Sequence, residues 1–181
     1  ASLRKGRYAI MRNSKRPSYG PCWEPALGHT GRPDGGRLMV GLVVVTHGSL
    51  GEALVETAET IMGRKMPQVA LVSVHWQAPV GEIQRAVRDA IRRVMTPKGV
   101  IIVTDMFGGT PSNISLSFLG EGPIAVLTGV NLPMLMVYWN YCETMDYQSL
   151  ARHMKNRAVA SIVCSLDVMP EVHALEKERR L

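Results

Sequence analysis

The sequence predicts a doubly wound α/β fold, because short apolar runs alternate with amphipathic segments over most of the chain. Nearly continuous apolar runs are typical of parallel strands that are buried on both faces. The segments between them repeat apolar residues every three or four positions, as helices with one buried stripe do. Right-handed crossovers of this kind build a mostly parallel sheet with helices on both faces.

The predicted elements begin at Met39, the first residue of the first apolar run. We expect strands at about 39–46, 68–74, 99–104 and 124–127. We expect helices at about 49–62, after Pro79, from Pro111 with Thr110 as its N-cap, at 134–142 and at 147–157. In the first helix the expected buried face is Leu50, Ala53, Leu54, Ala58, Ile61 and Met62. A last apolar run, Val159 to Leu166, is interpreted as a fifth strand.

The positive charge of the chain is confined to its first segment. Residues 1–38 contain eight Lys or Arg against Glu24 and Asp34, which accounts for the whole net charge of +6. They also lack any helical or strand period, so we interpret 1–38 as a disordered basic leader or upstream extension. A basic arm for nucleic acid or membrane is the alternative. The chain from 39 to 181 is neutral and is expected to form one domain that does not bind nucleic acid.

The three cysteines, Cys22, Cys142 and Cys164, show no CxxC spacing. Neither a disulfide framework nor a zinc site is therefore predicted, and a reducing cytoplasm fits best. No apolar run reaches the roughly 18 residues of a membrane span. We expect no metal and no cofactor.

Two of the predicted strands end in side chains that can take part in acid–base or nucleophilic chemistry. His47 ends the first apolar run, and Asp105 ends the third. In an open doubly wound sheet the functional crevice lies at the carboxyl ends of the strands where the winding reverses. We expect the strand order 2-1-3-4, which makes strands one and three neighbours and brings His47 to Asp105.

An imidazole held by a carboxylate is suited to nucleophilic attack. The carboxylate fixes one ring N–H, leaves the other nitrogen's lone pair free, and stabilises the cation that attack produces. Gly108, Gly109 and Thr110 would add unhindered N–H groups and a hydroxyl at a helix start, which favours phosphate. The first helix, starting near Ser49, would direct a second helix dipole to the same place. The pattern predicts a phosphoryl group carried on His47.

Each of these residues taken alone also has a structural interpretation. Histidine and aspartate are common at strand ends and in turns, and the glycines show only that the backbone needs freedom. His75 follows the second strand, where a surface or packing role competes with a place in the pocket. A hydrolase that uses Ser49 as its nucleophile is a further alternative, although the chain lacks the Gly-x-Ser-x-Gly elbow of such folds.

At these residues the chain resembles the enzyme IIA domain of the mannose/fructose class of the bacterial phosphoenolpyruvate-dependent sugar phosphotransferase system. The resemblance covers about residues 39–166. It is carried by three segments: Thr46-His47-Gly48, Asp105-x-x-Gly108-Gly109-Thr110-Pro111-x-Asn113, and Gly129-Val130-Asn131-Leu132-Pro133-Met134.

The resemblance implies that phospho-HPr donates a phosphoryl group to His47 and that a separate IIB protein accepts it during mannose/fructose-class sugar uptake. Asp105 would be the hydrogen-bonding partner of His47, and Thr110 with its neighbouring amides would hold the phosphate. Contact with the membrane would be indirect, through IIC and IID components. A homodimer is implied, in which a C-terminal antiparallel strand, with 159–166 the candidate, pairs with the partner's sheet and is open to exchange between subunits.

Two alternatives to sugar transport follow from the same resemblance. The first is a regulatory module whose docking surface changes when His47 is phosphorylated. The second is the related branch that serves dihydroxyacetone kinases, whose segment after the third strand does not usually carry the full Gly-Gly-Thr-Pro-x-Asn pattern.

Overall fold

The computed structural model describes residues 38–66 and 68–165. The predicted leader, apart from Leu38, and the tail beyond Ser165 lie outside these residues. The elements in chain order are β1 Gly41–His47, α1 Leu50–Met62, β2 Val69–Val74, α2 Val80–Val94, β3 Val100–Thr104, α3 Thr110–Leu116, β4 Ile124–Thr128, α4 Leu132–Tyr141 and α5 Tyr147–Ala160. None of the described helices is long and apolar enough to cross a bilayer.

The four strands form one parallel sheet in the order β2-β1-β3-β4, which confirms the predicted architecture. Strand β1 lies in the middle, where Val43 pairs with Ala70 of β2 and with Ile102 of β3. Strands β1 and β3 consist almost entirely of buried residues, because helices cover both of their faces.

Alternate residues along β1 and β3 serve two separate cores. Leu42 and Val44 pack with α1, α4 and α5, whereas Val43 and Val45 pack with α2 and α3. Burying one such Val or Leu stabilises the fold by about 1.5–3 kcal/mol, so the period of two along each strand anchors helices on both sides. The strand ends, which carry the predicted site, are thereby held on a rigid sheet.

The buried face of α1 differs from the expected one. Leu50 and Ile61 are 47% and 53% exposed, and the buried residues are Gly51, Val55 and Ala58. A Cβ at position 51 would lie 2.9 Å from Thr46 Oγ1 and 3.0 Å from Val44 Cγ1. The absence of a side chain there lets α1 approach β1 closely, while Leu50 and Ile61 face solvent and Leu54 and Met62 are partly buried against the core.

The expected fifth strand is wrong for the single chain. Val159 and Ala160 complete the last turn of α5, and residues 161–165 form no strand. Ile162 and Val163 are 77% and 64% exposed. A strand needs a neighbouring edge to pair its N–H and C=O groups, and no described strand lies beside this segment. Leu166, the last residue of the expected strand, lies outside the described residues.

Candidate functional site

His47 is the last residue of β1 and stands where the chain turns into α1. Gly48 follows with a φ of 51°, in the left-handed region that favours glycine, and its N–H donates to the Val74 carbonyl. The buried hydroxyl of Thr46 accepts the N–H of Gly51 at 2.8 Å. The start of α1 is thus tied back to the strand, and the imidazole between them is 40% exposed.

Asp105 follows the last residue of β3 and reaches the imidazole directly. The strand register pairs Val45 with Thr104, so the ends of β1 and β3 lie side by side. His47 Nδ1 lies 2.7 Å from Asp105 Oδ2, and the backbone N–H of His47 donates to the same oxygen at 2.8 Å. The second oxygen, Oδ1, accepts the N–H of Met106 at 2.9 Å. The structure therefore brings the two predicted residues together.

The hydrogen bonds determine the charge of Asp105 and the tautomer of His47. Partial burial, the largest single influence, raises the pKa of the Asp105 carboxyl group. Donation from the His47 backbone and ring and from the Met106 backbone outweighs burial, so that this pKa is lowered. An ionised carboxylate only accepts hydrogen bonds, so Nδ1 must carry the ring proton. The Nε2 atom then presents its lone pair.

The glycine turn after Asp105 leaves room beside the imidazole. Gly108 has a φ of 83°, whereas Gly109 has an ordinary backbone with a φ of −76°. A Cβ built on Gly109 would lie 3.1 Å from His47 Cε1, the ring carbon between the two nitrogens. The two glycines thus have different roles: Gly108 permits the turn, and Gly109 permits close approach to the ring.

The start of α3 differs by one residue from the expected start. The N-cap is Gly109, and Thr110 is the first helical residue, with an exposed side chain. The turn is held from within the helix, because the Asn113 N–H donates to the Gly109 carbonyl at 2.9 Å and its side-chain amide to the Gly108 carbonyl at 3.3 Å. Asn113 thereby closes the turn that leads from Gly108 into α3.

Ser49 occupies the N-cap position of α1, two residues after His47. Its side chain is exposed and makes no capping hydrogen bond, while its carbonyl accepts the N–H of Ala53. His75 is also exposed, in the loop that follows β2.

The Gly-Val-Asn-Leu-Pro segment after β4 has a structural role. The Asn131 side chain accepts the N–H of Met134 at 3.0 Å and caps α4, and its amide group donates to the Ala158 carbonyl of α5 at 3.3 Å. Asn131 thus joins the start of α4 to the end of α5 at the same edge of the sheet as His47.

Three exposed apolar side chains at this edge were not singled out from the sequence. Trp76, Phe107 and Met106 are 96%, 75% and 57% exposed. The sequence signal that could have identified them is the presence of large apolar residues in the turns after the strands, where polar residues are usual.

In residues 38–66 and 68–165, no group of three or more His, Cys, Asp and Glu side chains is placed to hold a metal ion.

A family model described as "PTS system fructose IIA component" matches residues 41–155, which include both strand ends. The chain belongs to this family of sugar phosphotransferase system IIA components. As a member, it is a phosphotransferase component of the mannose/fructose class, whose members act in sugar uptake by phosphoryl transfer.

Relatives of this IIA component agree with the assignment. The chain is 27% identical over 129 residues to the fructose-specific EIIA component of Bacillus subtilis, and the alignment covers 70% of this chain and 88% of the relative. It is 28% identical over 100 residues to the mannose-specific EIIAB component of Escherichia coli K12, covering 55% of this chain and 31% of that longer protein.

Solved structures show the same fold. The EIIA of Streptococcus agalactiae superimposes with a TM-score of 0.62 at 25% identity, covering 70% of this chain and 97% of the other. The mannose/sorbose-specific IIA subunit of Enterococcus faecalis superimposes with a TM-score of 0.62 at 19% identity, and the superposition covers 70% of this chain and 94% of that subunit.

Proposed function

We propose that this IIA component accepts a phosphoryl group from phospho-HPr on Nε2 of His47 and passes it to a separate IIB protein. The observation that supports the proposal is the 2.7 Å contact between His47 Nδ1 and Asp105 Oδ2. It occupies one ring nitrogen and leaves the other, in a half-exposed ring, free to attack. An imidazole held in one tautomer and one orientation is a prepared nucleophile.

In the proposed step, the Nε2 lone pair forms a bond to phosphorus as the P–N bond to the donor histidine breaks. The bonding pair returns to the donor nitrogen. Positive charge develops on the His47 ring, and Asp105 stabilises it through the Nδ1 proton. When the phosphoryl group passes from His47 to the acceptor protein, the P–N bond to Nε2 breaks and the bonding pair returns to Nε2. Positioning and charge stabilisation are the main requirements of such a step, so the proposal includes no metal and no cofactor.

We place the phosphoryl group against Gly108, Gly109, Thr110 and Ser49. Gly109 leaves free the space nearest to the imidazole, and the N–H groups at the start of α3 follow it. The Thr110 side chain is exposed at the first helical position, and Ser49 stands at the start of α1 with no capping bond. Backbone N–H groups and hydroxyls of this kind stabilise phosphate oxygens.

The proposed setting is the cytoplasm, with mannose/fructose-class sugars as the final acceptors and IIC and IID components as the membrane partners. We also propose a homodimer, for which the exposed Ile162 and Val163 are candidate contacts.

The proposal is tested by incubating the protein with phosphoenolpyruvate, enzyme I and HPr, and measuring intact mass and acid lability. We expect one acid-labile phosphoryl group that maps to His47. The variant His47→Ala should remain folded and unlabelled, because the ring is half-exposed and removing it opens little of the core. Label on that variant, or a folded wild-type protein that stays unlabelled, would rule out the proposed carrier role.

A chase with IIB distinguishes transport from the regulatory alternative. A carrier should lose its phosphoryl group rapidly to IIB and be labelled again. A domain that regulates through its phosphorylation state should keep the group in the presence of IIB. Rapid discharge would exclude the purely regulatory interpretation.

A further inference from the structure

Exposed apolar side chains follow the two strands that flank β1, the strand that ends in His47. Trp76 follows β2 and is 96% exposed, and Phe107 follows β3 and is 75% exposed. The sheet order places β1, and with it His47, between these two strands. The register and the bond from Gly48 N–H to the Val74 carbonyl hold the β2 loop against the histidine turn. We call Trp76, Met106 and Phe107 the apolar rim.

Met106 connects this rim to the imidazole. The point where a Cβ on Gly109 would stand is 3.1 Å from His47 Cε1 and 3.4 Å from Met106 Cγ. The Met106 side chain therefore borders the space beside the reactive ring. Its backbone is fixed by the bond from its N–H to Asp105. The rim is thus built on the same turn that orients His47.

The charges at this edge are of one sign near His47. The described segments 47–52, 75–82 and 105–110 contain three carboxylates, Glu52, Glu82 and Asp105, and no lysine or arginine. Among the described residues of α5, Arg157 lies in the last turn, and this helix contacts the sheet mainly at β4, which β3 separates from β1. A partner that fits this surface has an apolar face with basic groups around it.

We propose that Trp76 and Phe107 are the main anchors that dock the phosphoryl donor protein onto this chain. This inference rests on the proposed function. A phosphoryl group moves between two histidines only when the attacking nitrogen is in line with the P–N bond that breaks and only about 3 Å from phosphorus, so the donor must cover the edge around His47. We expect a donor in this position to bury the rim, because the rim residues follow the strand ends on both sides of β1. Exposed Trp and Phe that become buried at the centre of an interface contribute most of its affinity.

The test measures phosphoryl transfer from phospho-HPr, charged by enzyme I and phosphoenolpyruvate, to the wild-type protein and to Trp76→Ala and Phe107→Ala. We expect kcat/KM to fall about 10- to 30-fold for each variant, as for truncated anchor residues. The loss should appear as a higher KM for phospho-HPr. Because the side chains are exposed, thermal unfolding should stay at the wild-type temperature. Ile61→Ala is the matched control, since Ile61 is 53% exposed but lies in the last turn of α1, away from the strand ends.

Three results would overturn the inference, and they are distinguishable. If both rim variants transfer within twofold of Ile61→Ala, the anchors lie elsewhere and the proposed function stands. If the loss is in kcat at saturating phospho-HPr, the side chains affect the chemical step and not docking. If the wild-type protein takes no phosphoryl group from phospho-HPr, the proposed function fails and the inference fails with it.

Discussion

A single oxygen of Asp105 accepts two N–H groups of His47, one from the backbone and one from the ring. The backbone bond sets the position of the residue, and the ring bond sets the tautomer and the orientation of the imidazole. Because Oδ1 is occupied by the Met106 N–H, the carboxylate has little freedom to rotate. The nitrogen that we propose to react, Nε2, is therefore oriented by contacts that all lie at the ends of β1 and β3.

Asp105→Asn is predicted to keep the shape of the site and to lose most of the transfer rate. An asparagine places one NH₂ group where an acceptor is needed, facing either the Met106 N–H or the His47 ring. If it faces the ring, Nδ1 must accept, and the proton moves to the attacking nitrogen. The loss should approach about 10⁴-fold, as for an orienting aspartate in a catalytic triad. Single-turnover labelling by phospho-HPr measures it, and an unchanged rate would show that this contact does not orient the nucleophile.

Each element at the site is positioned by a contact between its first turn and a strand. Helix α1 begins against β1 through the bond from Gly51 N–H to Thr46 Oγ1, and α3 begins with Gly109 against His47. Glycine is needed at both positions because a side chain would have no space there. The backbone conformation is not the reason, since neither Gly51 nor Gly109 has a positive φ. The positions of both helix starts therefore depend on the absence of a side chain.

Gly51→Ala is predicted to destabilise the protein relative to Gly81→Ala. Both glycines are the second residue of their helices, α1 and α2, but a Cβ at 51 would approach Thr46 and Val44 within 3.0 Å, whereas none would be met within 4 Å at 81. Overpacking costs about 1–3 kcal/mol, and the helix propensity gained from alanine is at most about 1 kcal/mol at either site. Urea unfolding measures the difference between the two variants; equal stabilities would contradict close packing of α1 on β1.

In the part of the chain that the structure describes, two helix layers pack on one sheet, and no buried side chain is charged. Three carboxylates, those of Asp105, Glu59 and Asp146, accept backbone N–H groups. Burial is the largest influence on Glu59 and raises its pKa, but bonds from Lys65 and Met66 N–H lower it overall. The Ser149 N–H is the main cause of the lowered pKa of Asp146, which caps α5. Together with Asp105, these groups link the stability of the fold to pH.

Acid is predicted to destabilise the fold, with Asp105 as one contributor. A carboxyl group whose pKa is lowered by folding contributes stability that is complete above its unfolded pKa of about 3.9 and is lost as the pH falls through the folded value. The free energy of unfolding of the wild-type protein should therefore decrease as the pH is lowered from about 4. The fall should be smaller in Asp105→Asn than in Asp89→Asn, which removes an exposed carboxylate of α2. Parallel pH dependence in the two variants would show that Asp105 does not contribute.

The fold could be predicted from patterns that are local in the chain. Residues 100–104 are five consecutive buried residues. The spacing in α2 predicts one buried stripe, which is confirmed except at the first helical residue, Val80, which is 63% exposed; the buried members are Ile83, Val87, Ala90, Ile91 and Val94. The segment from Val159 could not be assigned in this way. A short apolar run fits the end of a helix as well as a strand, and the choice depends on whether a partner edge is near.

The amino-acid sequence by itself determined the alternation of strands and helices, their approximate ends, and the placement of His47 and Asp105 at the ends of buried strands, because apolar periodicity and turn residues act over a few positions. The tertiary structure alone decided which nitrogen of His47 is held, that Gly51 and not Leu50 faces β1, and that Trp76 and Phe107 are exposed after the two strands that flank β1. These features depend on distances between residues far apart in the chain. Such distances exist only once the sheet has brought the strand ends together.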